Sequence, residues 1–179
     1  LQKDITNFLK DRFRYYLKEK NIRYDVIDAV LSKFNLNKIS LLHEKAKSFN
    51  KVINKPIGED IISSYRRASS ILQSELKEKN IELVNTTDPG IFKNDFEKDL
   101  YKKTNELKKY FSEISKNQNF DETLVLLSSL KKEVFAFFDN VKVNDDSENV
   151  KKNRLELINL FCKTYENFID FQLIKDINE

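Results

Sequence analysis

Apolar residues recur along this chain at intervals of three and four, and the recurrence predicts helices almost from end to end. Ile5, Phe8, Leu9, Phe13, Tyr16 and Leu17 make one face of an amphipathic helix over about residues 2–20. Val26, Ile27, Val30 and Leu31 give a second over residues 22–31, with Asp25 placed to cap it. After Asn35-Leu36-Asn37 a third stripe, Leu42, Ala46, Phe49 and Ile53, ends before Pro56-Ile57-Gly58. Ile61, Ile62, Tyr65, Ala68, Ser69, Leu72 and Leu76 mark a longer fourth helix over about residues 59–78. Residues 80–94, with Asn-Thr-Thr-Asp and Pro89-Gly90, have the composition of a connecting loop. Phe96, Leu100, Thr104, Leu107, Phe111 and Ile114 form a fifth stripe. Leu124, Leu127, Leu130, Val134, Phe137, Phe138 and Val141 form a sixth, with Asp121 as its expected cap. Leu155, Ile158, Phe161, Cys162, Tyr165, Phe168 and Ile169 form a seventh. Residues 81–84 are the one short candidate for a strand. The pattern therefore predicts an all-α fold, a single bundle of about seven helices over residues 1–179.

The sixth and seventh stripes are separated by a polar N-D-D-S-E-N segment. Asp139 and Arg154 stand on either side of it, where a carboxylate and a guanidinium can clamp the two helices together.

Composition narrows the chemistry. With 40% hydrophobic and 34% charged residues, 179 residues suit one soluble domain that buries roughly 70% of its unfolded surface. No apolar run approaches the roughly 18 residues of a spanning helix, so no membrane role is expected. The chain opens on Leu without a signal-like segment, which predicts a piece of a longer cytoplasmic protein. One cysteine, Cys162, excludes an internal disulfide and falls on an apolar stripe, where a small buried hydrophobe is expected. One histidine, His43, cannot supply a two-histidine metal site, and two glycines in all leave no phosphate-cradling loop. No metal, no cofactor and no catalytic residue are expected in this piece.

The net charge of +3 is unevenly spread. Residues 1–24 hold seven lysines and arginines against three acids, which makes the first helix a candidate phosphate-facing surface or a solvated face with i,i+4 pairs. Arg12, Arg14 and Arg23 there lie beside Tyr15 and Tyr16, a mixture suited to stacking on single-stranded bases; Tyr16 can equally belong to the core.

Four sequence blocks carry a resemblance. Phe137-Phe138-Asp139-Asn140-Val141, then Val143, Asp145, Asp146 and Lys151-Lys152-Asn153-Arg154-Leu155, resemble the end of the glycyl-tRNA synthetase beta-subunit family, whose C-terminal domain is a DALR-type anticodon-binding domain. F-L-K-D-R-F-R at residues 8–14, I-R-Y-D-V-I-D-A-V at 22–30 and R-R-A-S-S-I-L at 66–72 resemble further blocks of that family. Lys142 and Asn144 stand where the family usually has methionines, Lys151 replaces an arginine, and Ser70 replaces an asparagine.

The resemblance implies a DALR-type bundle that is a non-catalytic, RNA-binding appendage of a glycine-tRNA ligase, with Glu179 close to the natural end. It implies glycine tRNA, the remainder of the beta subunit and the alpha subunit as partners, ATP used by the alpha subunit, and no DNA. Sequence-specific RNA binding targets unpaired loops, through stacking, base-edge hydrogen bonds and salt-dependent phosphate contacts. The candidates for these contacts are Arg12, Arg14, Arg23, Arg66, Arg67, Lys142, Lys151, Asn153 and Arg154. Arg154 has a second reading, a structural clamp with Asp139. The alternative function is a helical interaction module that holds synthetase subunits together without touching RNA.

Overall fold

The computed structural model describes residues 2–79, 82–114 and 119–175. Among them are eight α-helices and no strand: α1 (Gln2–Glu19), α2 (Tyr24–Leu31), α3 (Ile39–Val52), α4 (Pro56–Lys79), α5 (Asp95–Ile114), α6 (Phe120–Ser129), α7 (Lys131–Asn140) and α8 (Glu148–Glu166). Single 3-10 turns lie at Leu36–Lys38, Pro89–Ile91 and Phe171–Leu173. The fold is all-α, as the periodicity requires. Residues 82–84 take no regular structure, and Ile81, Leu1 and Glu179 lie outside the described residues.

α8 is the axis of the bundle. Thirteen of its 19 residues are buried, and it packs against α4 and α5. A helix apolar on one stripe needs only one neighbour; one buried nearly all round needs several. α4 spans the rest, touching α6 and α7 as well as α8, while α1, α2 and α3 add on consecutively at one end. Phe49, Tyr65, Tyr165, Phe168 and Phe171 join these parts through ring contacts of 5.5–6.4 Å between centroids. Cys162 is buried in α8, where desolvation pushes its thiol pKa up, as befits a small core residue.

The sixth predicted helix is two helices. Its apolar stripe continues unbroken through Leu124, Leu127, Leu130, Val134 and Phe137, all buried, but the backbone turns at Leu130. The Leu127 carbonyl accepts from the Leu130 amide and from the hydroxyl of the buried Tyr165. A carbonyl so occupied is drawn out of the helical ladder, which is the cause of the break.

Two expected caps also differ. α6 is capped by Asn119, whose side chain accepts from the Glu122 amide at 3.2 Å, and not by Asp121. Asp25 lies inside the first turn of α2, buried, where it accepts from Arg23 and from the Lys175 backbone amide at 3.0 Å. It ties the C-terminal segment to α2 and leaves no side-chain cap there. The first turns of α1 stay open: Ile5 and Phe8, expected in the core, are exposed, and burial begins at Phe13. No described helix is long and apolar enough to cross a membrane.

The α3–α4 corner depends on one small residue. Pro56 opens α4, where its missing N–H costs nothing, and Gly58 sits on the end of α3. A Cβ there would lie 2.2 Å from the Val52 carbonyl oxygen and 2.7 Å from Ile53 Cα. Gly58→Ala is expected to destabilise the fold by about 2–3 kcal/mol despite alanine's better helix propensity. Gly90→Ala, whose Cβ would meet only the Asp88 side chain at 3.1 Å, is expected to change stability by less than about 1 kcal/mol. Urea unfolding of both variants checks the contrast.

Candidate nucleic-acid interface

Three polar residues in the first turns of α8, Lys151, Asn153 and Arg154, point into the protein. Arg154 Nε donates to Glu97 Oε1 at 2.7 Å, and its Nη1 donates to Asp145 Oδ2 at 2.8 Å and to the Lys142 carbonyl at 2.9 Å. The two side chains of the Arg154–Glu97 pair are 5% and 1% exposed. Glu97 is held on its other side by the start of α5. Its Oε2 accepts from the Lys93 and Asn94 amides, while Asn94 Oδ1 accepts from the Glu97 amide at 3.1 Å. This is a capping box, written in the sequence as Asn94 followed three residues later by Glu97. Sequence reasoning missed Glu97, and that spacing is the signal that finds it.

The expected clamp between Asp139 and Arg154 is therefore replaced by two pairs. Arg154 sits on the inner side of α8 and reaches α5. Asp139, 60% exposed at the end of α7, pairs with Arg67 of α4 at 2.6 Å. Arg67 also lies over the rings of Phe135 and Phe138, at 4.7 and 5.4 Å. The hinge is still clamped by Arg154, through Asp145 and the Lys142 carbonyl.

The other two candidates on α8 are equally committed. Lys151 is 1% exposed, 3.6 Å from Glu75 of α4. Asn153 holds both backbone groups of one residue, accepting from the Asp88 amide at 2.8 Å and donating to the Asp88 carbonyl at 2.9 Å. Glu156 accepts from the Val84 amide, and Asn159 donates to Asn85 Oδ1 at 3.0 Å. Residues 153, 156 and 159 share one helical stripe, so the long polar loop after α4 is pinned along α8.

The remaining cations divide. Arg66 donates to the Ile174 carbonyl at 2.9 Å, Arg14 pairs with Asp28, and Arg23 joins Asp25 and Asn54. Arg12 and Lys142 are exposed. Arg12 lies 5.2 Å from the ring of Phe8, which is 56% exposed. Lys18 lies 4.8 Å from the exposed Tyr24 ring and Lys20 lies 5.5 Å from Tyr16, and Tyr15 is exposed on the same helix. The α1–α2 surface thus combines accessible cations with accessible rings, the arrangement that binds unpaired nucleic acid. Tyr16 belongs to this surface and contacts His43 of α3 at 5.5 Å.

Asp145 carries a clear electrostatic signature. The Ser147 amide first, then Lys93 and Arg154, hold its carboxyl at a pKa of about 2, below the usual 3.8. The unfolded chain then binds more protons than the native one between these values, so the contribution is present above about pH 4 and lost as pH falls toward 2. Asp145→Asn is expected to flatten the decline of melting temperature between pH 5 and pH 2. A decline identical to wild type would show that Asp145 is not part of it. Glu97→Gln is expected to cost about 3–5 kcal/mol in urea unfolding, because it leaves a buried guanidinium short of its main counter-charge. Asp139→Asn is expected to cost about 1 kcal/mol or less.

The family described as DALR anticodon binding domain matches residues 61–176 of the chain. The protein named glycine–tRNA ligase beta subunit of Sulfurihydrogenibium sp. (strain YO3AOP1) is 32% identical over 167 residues, which cover 93% of this chain and 24% of that protein. Its namesakes from Persephonella marina and Clostridioides difficile are each 31% identical, over 173 and 170 residues; these cover 96% and 95% of this chain and 23% and 24% of theirs. The chain spans about a quarter of the length of these curated relatives. The match runs from Ile61 within α4 through α8, including the buried pair and the pinned loop, and the chain belongs to the DALR anticodon binding domain family.

Proposed function

We propose that this chain is the tRNA anticodon-binding domain of the beta subunit of a cytoplasmic glycine–tRNA ligase. It makes and breaks no covalent bond. It holds glycine tRNA while the alpha subunit, with ATP, carries out the activation of glycine, and the remainder of the beta subunit positions the domain. The observation that carries this reading is that relatives named as such beta subunits align over nearly the whole chain. The exposed rings and cations of α1 and α2 supply the chemistry that an unpaired loop requires: π-faces for the bases and Arg12, Lys18 and Lys20 for phosphates. Among the sequence candidates, Arg12 and Lys142 are the exposed ones that reach RNA most directly, whereas Lys151, Asn153 and Arg154 act on RNA only by shaping the fold.

A second reading rests on its own observation. Ile5 and Phe8 present apolar surface on α1. As an interaction module, the domain would bury that face against the rest of the beta subunit.

Titration of the chain with transcribed glycine tRNA at two salt concentrations, beside the same tRNA with a replaced anticodon, separates the two. The anticodon-binding reading expects tighter binding of the natural tRNA, weakening as salt rises. Arg12→Glu with Tyr15→Ala is expected to lower that affinity at least about tenfold at unchanged helicity, since both side chains are exposed. Absence of binding at micromolar protein would favour the interaction module.

A further inference from the structure

On the flank of α3 away from α1, the bundle has a cleft of about 410 Å³ between α3, α5 and α6. Lys38, Lys45 and Lys108 border it, and Leu41, Phe111 and the buried Phe120 line its floor. A second cleft of about 230 Å³ adjoins it along α8 and shares Lys108 and Asn167 with it. There the lining turns polar: Asn85, Asn159, Lys163 and Glu156. Four lysines face one carboxylate among the described lining residues, in a chain whose 32 basic residues otherwise nearly balance 29 acidic ones.

Three of the cations near the clefts are already used, Lys163 by Asn85 Oδ1 in the second. Lys45 donates to the Asn167 and Phe168 carbonyls at 2.9 and 2.8 Å, and Lys33 donates to the Glu166 carbonyl at 2.7 Å, so both complete the end of α8. Burial first, then the like charges of Lys33 and Lys38, lower the Lys45 pKa to about 8. Lys38 and Lys108 have no hydrogen bond or ion pair through their side chains among the described residues. Glu156 is turned inward onto the Val84 amide.

This lining excludes most ligands. A metal cation meets the wrong sign of charge. A small anion leaves the aromatic floor unused. An acyl chain fits the first cleft but not the amide-lined second. A strand that alternates flat rings with phosphates uses both, because Lys108 stands where the two clefts meet.

We propose that this double cleft seats two consecutive unpaired nucleotides of an RNA strand. One base lies against Phe111 and Phe120, its neighbour lies among the side-chain amides of Asn85 and Asn159, and the phosphate between them meets Lys108. The proposal rests on the reading that the domain binds RNA, and it assigns a second contact on the opposite flank of α3 from the α1–α2 surface.

The test is fluorescence titration of the full chain with a labelled seven-nucleotide unpaired RNA and with the same strand annealed to its complement. Lys108→Glu and Lys38→Glu are expected to weaken the unpaired strand about tenfold and to reduce the salt dependence by about one phosphate contact. Phe111→Ala is expected to weaken it about tenfold with the salt dependence unchanged. Duplex binding and melting temperature should stay as in wild type for the two lysine variants, which are exposed and keep the test valid if Phe111→Ala loosens the fold. Wild-type affinity in all three variants, equal binding of duplex and unpaired strand, or displacement of the RNA by micromolar ATP would each overturn the proposal. Anticodon-dependent binding of glycine tRNA that none of the variants alters would remove the cleft and leave the domain assignment standing. Cleft-dependent binding of the short strand without any binding of tRNA would do the reverse.

Discussion

A guanidinium buried between α5, α8 and the hinge constrains everything near it. Removing Arg154 from water costs several kcal/mol unless a carboxylate and further acceptors meet it in good geometry. Glu97 supplies the charge, Asp145 and the Lys142 carbonyl supply the rest, and each requirement fixes a different part of the chain. Glu97 reaches Arg154 only if the capping box with Asn94 sets the first turn of α5. Asp145 reaches it only if the segment between α7 and α8 folds back over the start of α8, where Lys93 meets the same carboxylate at 3.0 Å. Thus one ion pair sets the relation of α5, the hinge and α8, and α8 in turn is the surface on which α4 packs.

The same helix organises the loop that follows α4. Asn153, Glu156 and Asn159 bond to Asp88, Val84 and Asn85, so a stretch with no apolar periodicity is nonetheless fixed. The polar groups of α8 are largely spent in this way. In the function proposed above, recognition falls chiefly to exposed side chains on α1, on α2 and at the lysine-bordered cleft beside α3. On that proposal, polar residues inside serve the architecture and accessible rings and cations outside serve binding.

Much of this was legible in the sequence. The helical stripes, the hinge and the role of Cys162 follow from periodicity and composition, because burial acts on every turn of a helix. The rest depends on contacts between distant residues. The Asp139–Arg154 clamp looked natural because those residues flank one hinge, yet the true partner, Glu97, is 57 positions upstream. The break at Leu130 has no glycine or proline to announce it and arises from the hydroxyl of Tyr165, 38 positions downstream of the Leu127 carbonyl that accepts from it. The inward direction of Lys151, Asn153 and Arg154 could not be read from a run that looks like a basic patch; only the packing of α4 and α5 around α8 turns it inside. The capping box at Asn94 and Glu97 was readable and marks the one core partner a local motif could have found.

The most direct measurement of this account is the Nε–H resonance of Arg154 in nitrogen-labelled chain titrated with glycine tRNA. A group bonded to Glu97 in the interior gives a slowly exchanging line that keeps its position to saturation while the Arg12 line moves. An Arg154 line that shifts or exchanges faster as tRNA is added would contradict the account, since it would place RNA on the residue assigned here to the core.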